Sequence, residues 1–193
     1  SAVVFCGEDP AVLKDLKKML TTSYYHISLS TDVVGVESAA ALKNAYALGV
    51  SLAVGLIERE KGIECRQAYN PQAALFGQAL REMGHMLRML GGGSENIVYG
   101  GGDLYVTIFG GRTRKLGTLL GRGLSFHDAM AKLEGITLES VAITKRVAKA
   151  MYRRQELGQA DMNDLPLLKH VYDIIENDVS VAIPWKAFER EYL

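Results

Sequence analysis

The sequence predicts a mainly α-helical protein that begins with a small β-α-β unit. Residues 2–5 form a short continuous apolar run of the kind that makes a buried parallel strand. Residues 38–57 form an apolar run of helix length, and later segments place apolar residues three and four positions apart. We therefore expect a β-α-β unit in residues 1–33 and one helical domain in residues 34–193.

The composition limits the classes of function. The 193 residues are enough for one good-sized domain, and a hydrophobic share of 48% supplies a core. Equal numbers of basic and acidic residues, 22 of each, argue against a nucleic-acid or membrane-surface partner and favour a small molecule or another subunit. Cys6 and Cys65 lack metal-ligand spacing, so we expect no metal site, no disulfide and a reducing, cytoplasmic setting.

The first 33 residues predict a strand, a helix and a second strand. Asp9 and Pro10 suit the N-cap and first position of the helix, and residues 24–29 are β-prone and would pair in parallel with residues 2–5. So small a unit leaves sheet edges open, so we expect it to be the end of a larger sheet. No G-x-G-x-x-G follows a strand, so the dinucleotide fingerprint is missing from this sequence.

Lys43 is the one charged residue in the run SAAALKNAYALGVSLAVGLI, residues 38–57. Its neighbours on the same helical face are mostly small and apolar: Ala39, Ala40, Tyr46 and Ala47. Burial disfavours a charged amine, and a lysine so placed can exchange a proton near neutral pH. Two other interpretations stay open. One is a membrane span, against which the lysine and the glycines argue, and the other is a core helix whose lysine reaches the surface.

The segments after the central helix predict a second long helix. We expect the central helix to end near Ile57, and Asn70 and Pro71 to be the N-cap and first residue of a helix over 72–90. Its core stripe would consist of Ala73, Leu75, Phe76, Leu80, Met83, Leu87 and Leu90. His85 has no second ligand at helical spacing, so we expect it to be structural or exposed. Further helices are expected over 137–155 and 164–175, packed beside the central helix.

Two glycine-rich stretches frame further candidate site residues. The glycines at 100–102 before Asp103 indicate either a backbone that passes close to a neighbour or an ordinary turn in which Asp103 caps a short helix. Gly110 and Gly111 precede Arg112. A glycine pair that opens a helix and is followed by basic side chains suits a phosphate, because free N–H groups and an arginine converge on the anion. A solvated basic patch is the alternative.

Segments with these features occur in a distinctive order: GVESAAALKN, Asn70 at a helix start, GDLYVT, GGRTRKLG and LESVAITKRVAK. This order resembles the C-terminal domain of NAD(P)-dependent glycerol-3-phosphate dehydrogenases over nearly the whole chain. Residues 1–33 resemble the end of that family's dinucleotide-binding domain. The resemblance implies an all-α substrate domain of the 6-phosphogluconate-dehydrogenase C-terminal-like type, NAD or NADP as cofactor, a small-molecule phosphate as substrate, and a homodimer.

The resemblance also implies roles for the residues around the central lysine. Lys43 would be the acid/base that protonates the alkoxide formed when hydride reaches the C2 carbonyl of dihydroxyacetone phosphate. Asn44 would help to orient the substrate. Asp103 would hold the Lys43 ammonium, and Thr107 would support the same network.

At the second glycine stretch the resemblance implies a phosphate and cofactor contact. Gly111, Arg112 and Thr113 would bind the substrate phosphate, and Arg112 would also approach the cofactor. Glu139, in the LESV segment, would contact the nicotinamide end of the cofactor. Thr113 stands where the family usually has asparagine, which keeps a hydroxyl and loses an amide donor.

Features that the family supplies from its first domain are missing from this sequence. They are the cofactor fingerprint and a second lysine, so we do not expect this chain alone to catalyse the reaction.

Two alternative functions stay open. One is a hydroxyacid dehydrogenase or ketopantoate-reductase relative that acts on carboxylates, and the other is a non-catalytic helical dimerisation module. Arg112 after paired glycines favours phosphate. The cost of an unpaired buried ammonium argues against the module.

Overall fold

The computed structural model describes residues 1–66, 69–133 and 138–191. The strands are β1 (Ala2–Cys6) and β2 (His26–Ser30), and the helices are α1 (Pro10–Leu20), α2 (Val33–Lys61), α3 (Tyr69–Met89), α4 (Ile97–Thr107), α5 (Gly111–Gly121), α6 (Phe126–Ala131), α7 (Glu139–Glu156) and α8 (Pro166–Asn177). Single 3-10 turns lie at Ser94–Asn96, Met162–Asp164 and Trp185–Phe188. The prediction of a mainly α-helical fold is confirmed.

The N-terminal segment forms the β-α-β unit that the sequence predicts. β1 and β2 pair in parallel, with Ala2 opposite His26. Asp9 caps α1, because its carboxylate accepts hydrogen bonds from the backbone amides of Ala11 at 2.8 Å and Val12 at 3.4 Å. The division of the chain into domains at residue 33 stays a prediction.

The long helix α2 lies at the centre of the protein. α3, α4, α5, α7 and α8 all pack against it. Every residue from 45 to 53 is buried, including polar Ser51, whose hydroxyl donates to the carbonyl oxygen of Ala47 at 2.7 Å. α2 is long and apolar enough to cross a membrane, but 61% of its most apolar stretch is buried inside the protein. A core helix covered by its neighbours explains this apolar composition.

α2 extends one turn beyond the predicted end near Ile57. It continues to Lys61, and on this last turn Glu58 pairs with Arg122, whose Nε lies 2.7 Å from the Glu58 Oε2. Gly62 then ends the helix with φ 90°, a left-handed value that favours glycine. Residues 58–61 therefore belong to the helix and not to the connection.

α3 begins earlier than predicted. Its first helical residue is Tyr69, so Asn70 lies in the first turn and is not the N-cap. Pro71 is tolerated there, because the amides of the first turn have no partner within the helix. The helix ends at Met89, and Gly91 follows in the turn with φ 84°, as the glycine run predicts. Of the predicted core stripe, Leu75, Met83 and Leu87 are fully buried, whereas Ala73 and Leu90 are exposed.

Helices α2 and α5 approach so closely that only glycine fits between them. A Cβ atom on Gly117 would lie 2.5 Å from the Cβ of Ser51, and one on Gly121 would lie 2.3 Å from the carbonyl oxygen of Leu52. On α2, a Cβ atom on Gly55 would lie 2.0 Å from the backbone carbonyl oxygen of Thr118 in α5. Because the contacting residue numbers rise together, α5 runs parallel to α2.

Replacing Gly121 by alanine should force the two helices apart. We expect Gly121→Ala to lower the free energy of unfolding by about 1–3 kcal/mol, the usual cost of adding a group to a closely packed contact. Gly77 is the matched control, since it lies within α3 and nothing lies within 4 Å of its Cβ position. Gly77→Ala should raise the free energy of unfolding by about 0.5–1 kcal/mol.

Urea unfolding followed by circular dichroism measures both changes. A Gly121→Ala protein as stable as the Gly77→Ala protein would show that the contact between α2 and α5 is looser than described.

Candidate active site

Lys43 on α2 and Asp103 on α4 form an ion pair. The Lys43 side chain is 20% exposed and that of Asp103 is 50% exposed. The ammonium is thus mostly withdrawn from water, and a carboxylate that still faces solvent balances its charge. The structure brings these two predicted site residues together, while their roles stay predictions.

The glycines before Asp103 explain how α4 comes so close to α2. They lie inside α4 and not in a turn, so the predicted turn is wrong. The predicted close approach is present, because a Cβ on Gly100 would lie 3.0 Å from the Cβ and the carbonyl oxygen of Ala39. Asp103 is about one helical turn after Gly100, and Lys43 is about one turn after Ala39. The missing side chain at Gly100 therefore lets the carboxylate reach the ammonium.

Thr107 and Asn44 lie beside this pair. The Thr107 hydroxyl donates to the backbone carbonyl oxygen of Asp103 at 2.7 Å, so it supports the backbone of that residue and not its carboxylate. Asn44 follows Lys43 on α2 and is half-buried. In residues 1–66, 69–133 and 138–191, its side-chain amide has no hydrogen-bond partner from another residue, which leaves it available to a ligand.

The predicted glycine pair opens α5. Gly110 is extended, with φ −161°, and Gly111 begins the helix with φ 78°. No side chain caps this helix start, and its first turn, all of it described, contains no acidic residue. Arg112 is exposed, and within the described residues its guanidinium forms no ion pair. The arrangement presents amide donors and a guanidinium that suit an anion.

The parallel register of α2 and α5 indicates which part of α2 lies level with the start of α5. Gly117 faces Ser51 and the carbonyl oxygen of Leu48, which would lie 2.9 Å from a Cβ at Gly117. One turn earlier on both helices corresponds to Thr113 on α5 and to residues 44–47 on α2. By this register, the first turn of α5 lies at the level of the residues that follow Lys43 on α2.

A cavity of about 610 Å³ opens between β1, α2 and α4, and Asp103 lies on its wall. Its other lining residues are mostly apolar, among them Val36, Val98 and Val106. A second cavity, of about 510 Å³, follows α5 from its glycine start, and its lining includes four basic residues: Arg114, Lys115, Arg122 and Lys132. Asp103, the partner of Lys43, and the glycine pair before Arg112 thus each border open space.

Glu139 and His85 lie outside this constellation. Glu139 is the exposed first residue of α7, and its predicted contact with the nicotinamide stays a prediction. The His85 side chain is 37% exposed, and its Nε2 lies 3.9 Å from Oδ2 of Asp164. Among the residues that the structure describes, no three histidine, cysteine or acidic side chains are grouped as metal ligands.

Comparison with known families addresses the resemblance noted in the sequence. The family model described as NAD-dependent glycerol-3-phosphate dehydrogenase C-terminus matches residues 32–185. The chain belongs to this family. The match covers every helix from α2 to α8 and includes Lys43, Asp103 and Arg112.

Individual relatives of the glycerol-3-phosphate dehydrogenase family agree. The NADP(+)-dependent glycerol-3-phosphate dehydrogenase of Archaeoglobus fulgidus is 32% identical over 183 residues, which are 94% of this chain and 52% of the relative. The NAD(P)+ enzyme of Geobacter sulfurreducens is 31% identical over 92% of this chain and 49% of its own length. The crystal structure of glycerol-3-phosphate dehydrogenase from Coxiella burnetii matches with a TM-score of 0.74 and 26% identity, over 97% of this chain and 53% of that one. This family member spans about half the length of the relatives it matches.

Glu82 is a buried charged residue of this family member that the sequence analysis missed. It is fully buried, and its carboxylate accepts hydrogen bonds from the Tyr46 hydroxyl at 2.9 Å and the Gln78 amide at 2.7 Å. It also accepts from the backbone amides of Leu167 at 2.8 Å and Leu168 at 3.0 Å, in the first turn of α8. Burial raises the pKa of Glu82 above its usual value, although these donors act in the opposite direction. A glutamate within the apolar stripe of α3 was the available signal.

Asp32 was likewise missed as an anchor of α2. Its carboxylate accepts hydrogen bonds from the backbone amides of Gly35 at 2.8 Å and Gly93 at 2.6 Å, and from the Asn96 side chain. These bonds, led by that from Gly93, hold the pKa of Asp32 below its usual value. Asp32 thus ties the N-terminus of α2 to the segment between α3 and α4.

Removing the Tyr46 hydroxyl should destabilise the folded protein. We expect Tyr46→Phe to lower the free energy of unfolding by about 1–3 kcal/mol, because the carboxylate of Glu82, which is fully buried, loses one of its hydrogen-bond donors. Tyr105→Phe is the control, since Tyr105 is 57% exposed, and it should change the free energy by less than about 0.5 kcal/mol. Guanidinium unfolding curves compare the two, and equal small effects would contradict the described bond.

Proposed function

We propose that this chain is the substrate-binding and proton-transferring part of an NAD(P)-dependent glycerol-3-phosphate dehydrogenase. The reaction interconverts sn-glycerol 3-phosphate and dihydroxyacetone phosphate. The observation that carries the proposal is the Lys43–Asp103 ion pair beside a glycine-opened helix start that presents Arg112. The names of the relatives support it. The complete reaction also needs a dinucleotide fingerprint, which this sequence lacks.

Lys43 is the proposed acid and base. When the C2 carbonyl of dihydroxyacetone phosphate accepts a hydride, its oxygen gains negative charge and must take up a proton. The Lys43 ammonium donates that proton, and in the reverse direction the neutral amine accepts the proton of the C2 hydroxyl. Asp103 keeps the ammonium oriented, so that stabilisation of the developing oxyanion needs little rearrangement.

Arg112 and the start of α5 are the proposed phosphate site. The amides of the first turn lack a side-chain cap, and the exposed guanidinium lacks an ion-pair partner in the described residues. Thr113, which replaces the usual asparagine, keeps a hydroxyl that can donate to a phosphate oxygen. The parallel register of α2 and α5, extended one turn towards their N-termini, supports a phosphate site near the level of Lys43. We therefore propose that a small phosphate ester binds with its phosphate at α5 and its reacting carbon near the amine.

Arg112 and Glu139 are the residues of this chain that we propose to face the cofactor. The cofactor, NAD or NADP, supplies or accepts the hydride. The exposed guanidinium of Arg112, at a helix start without acidic residues, suits an anionic group. The carboxylate of Glu139, exposed at the start of α7, can accept hydrogen bonds from an amide or a hydroxyl.

We further propose that the complete protein is a cytoplasmic homodimer and that residues 1–33 and 34–193 belong to different domains. Cys6 and Cys65 are free thiols, which supports a reducing compartment. The homodimer rests on the resemblance to the family, and light scattering after size-exclusion chromatography tests it. A substrate panel that includes 2-hydroxy acids tests the alternative of a carboxylate substrate, which the position of Arg112 disfavours.

The proposed phosphate site predicts a loss of binding in Arg112→Ala. Isothermal calorimetry of this chain with glycerol 3-phosphate, in buffer without phosphate, measures the affinity. We expect the variant to bind about tenfold or more weakly, because a charge-assisted hydrogen bond contributes about 1.5–3 kcal/mol. Arg153→Ala, at the exposed end of α7, is the control and should bind as the unchanged chain does. Equal affinities for all three proteins would place the phosphate elsewhere.

The proposed proton transfer predicts that Lys43→Met lowers kcat by about 10²- to 10⁴-fold, the usual contribution of a positioned acid or base. KM for dihydroxyacetone phosphate should change little, since the phosphate contacts remain. The assay uses a fusion of this chain to the dinucleotide-binding half of the Archaeoglobus fulgidus relative, after activity of the unchanged fusion has been shown.

The control for Lys43→Met is Lys149→Met, which removes a lysine that is 59% exposed on α7. Near-normal kcat in the Lys43→Met fusion, with the control also active, would remove Lys43 from the mechanism.

A further inference from the structure

The turn between α4 and α5 joins the proposed proton-transfer pair to the proposed phosphate site. Asp103 lies on the α4 side of this turn and Arg112 on the α5 side. The turn contains Gly110 and Gly111, the residues with the greatest backbone freedom. Nothing lies within 4 Å of the Cβ position of either glycine, so packing against these positions does not hold the turn in place.

Arg114 crosses this turn. Its Nη1 donates a hydrogen bond to the backbone carbonyl oxygen of Ile108 at 2.6 Å. Ile108 is the C-cap of α4 and is buried, so the guanidinium meets the negative end of the helix dipole. In residues 69–133, all of which the structure describes, no other side-chain hydrogen bond joins α4 or its C-cap to α5.

Arg114 differs in this respect from the basic residues around it. Arg112 forms no ion pair in the described part of the chain, whereas the Arg114 guanidinium donates a hydrogen bond to a backbone carbonyl oxygen. Lys115 is exposed and lines the same cavity as Arg114, and the structure describes no hydrogen bond from Lys115 to α4. Charge alone therefore does not distinguish Arg114 from Lys115, but the bond to Ile108 does.

We propose that Arg114 is a positioning residue that fixes the Gly110 and Gly111 turn and thereby holds Arg112 at a set distance from the Lys43–Asp103 pair. The Arg114 guanidinium joins the backbone of Ile108 to the first turn of α5. The distance between Arg112, which would bind the substrate phosphate, and Lys43, which would act at the reacting carbon, is then fixed before substrate binds. The effect on substrate rests on the proposed function. The effect on the turn itself does not.

The test compares Arg114→Met, Arg114→Lys and Lys115→Met in this chain. Methionine keeps much of the apolar stem and removes the donor, whereas lysine keeps one donor that can reach a carbonyl. Hydrogen exchange measured by mass spectrometry on peptides covering residues 108–113 reports the turn without any ligand. Calorimetry with glycerol 3-phosphate reports binding, and thermal unfolding confirms that each variant is folded.

We expect Arg114→Met to speed exchange in this segment and to weaken glycerol 3-phosphate binding, each by roughly tenfold, the usual effect of losing a charge-assisted hydrogen bond. Arg114→Lys should restore both in part, and Lys115→Met should leave exchange unchanged. Unchanged exchange in a folded Arg114→Met protein would overturn the proposal. An equal loss of affinity in Lys115→Met would assign the effect to charge and also overturn it. If the unchanged chain does not bind glycerol 3-phosphate, the proposed function fails, and the exchange data still decide the role of Arg114 in the turn.

Discussion

The burial of α2 on almost all sides is the constraint on which the rest of this structure depends. Helices can surround it so closely only because the contacts are made by glycine and alanine, as at Gly55, Gly117 and Gly121. A polar side chain on such a helix has to find its partner on a neighbouring helix. Lys43 pairs with Asp103 on α4, and Tyr46 pairs with Glu82 on α3. The candidate site therefore lies at the part of α2 that carries Lys43, because an ammonium group needs a polar partner and cannot be covered by apolar side chains alone.

Much of this arrangement could be predicted from local patterns in the sequence. Apolar spacing predicted the central helix and α3, and a lone lysine in an apolar run predicted an ammonium partly withdrawn from water. The resemblance to the family, and not the spacing, implied Asp103 as its partner. Glycines at 110 and 111 predicted the start of α5. These signals are local, because helical spacing, caps and glycine preferences act over a few residues.

The remaining features depend on contacts between distant segments, which local patterns do not encode. Glycines at 100–102 suggested a turn, yet they lie inside α4, because a glycine that permits close helix packing has the same sequence signature as one that bends the chain. Glu82, like Lys43, is a charged residue among the apolar positions of a helix, and this pattern could have indicated a buried charge. Its partners in α8 lie more than 80 residues away, and only the folded structure shows them. No pattern in the spacing of residues along the sequence predicts the hydrogen bond from Arg114 to Ile108.

α2 precedes most of the helices that cover it, and this order has a consequence for synthesis on the ribosome. α2 is complete at Lys61, whereas α5, α7 and α8, which cover it, end at Gly121, Glu156 and Asn177. At roughly 5–20 residues per second, the ribosome needs on the order of 6–25 s to add the segment from the end of α2 to the end of α8. During that interval a long apolar helix lacks part of its cover. We therefore expect the nascent chain to depend on chaperones more than a protein whose central helix is made last.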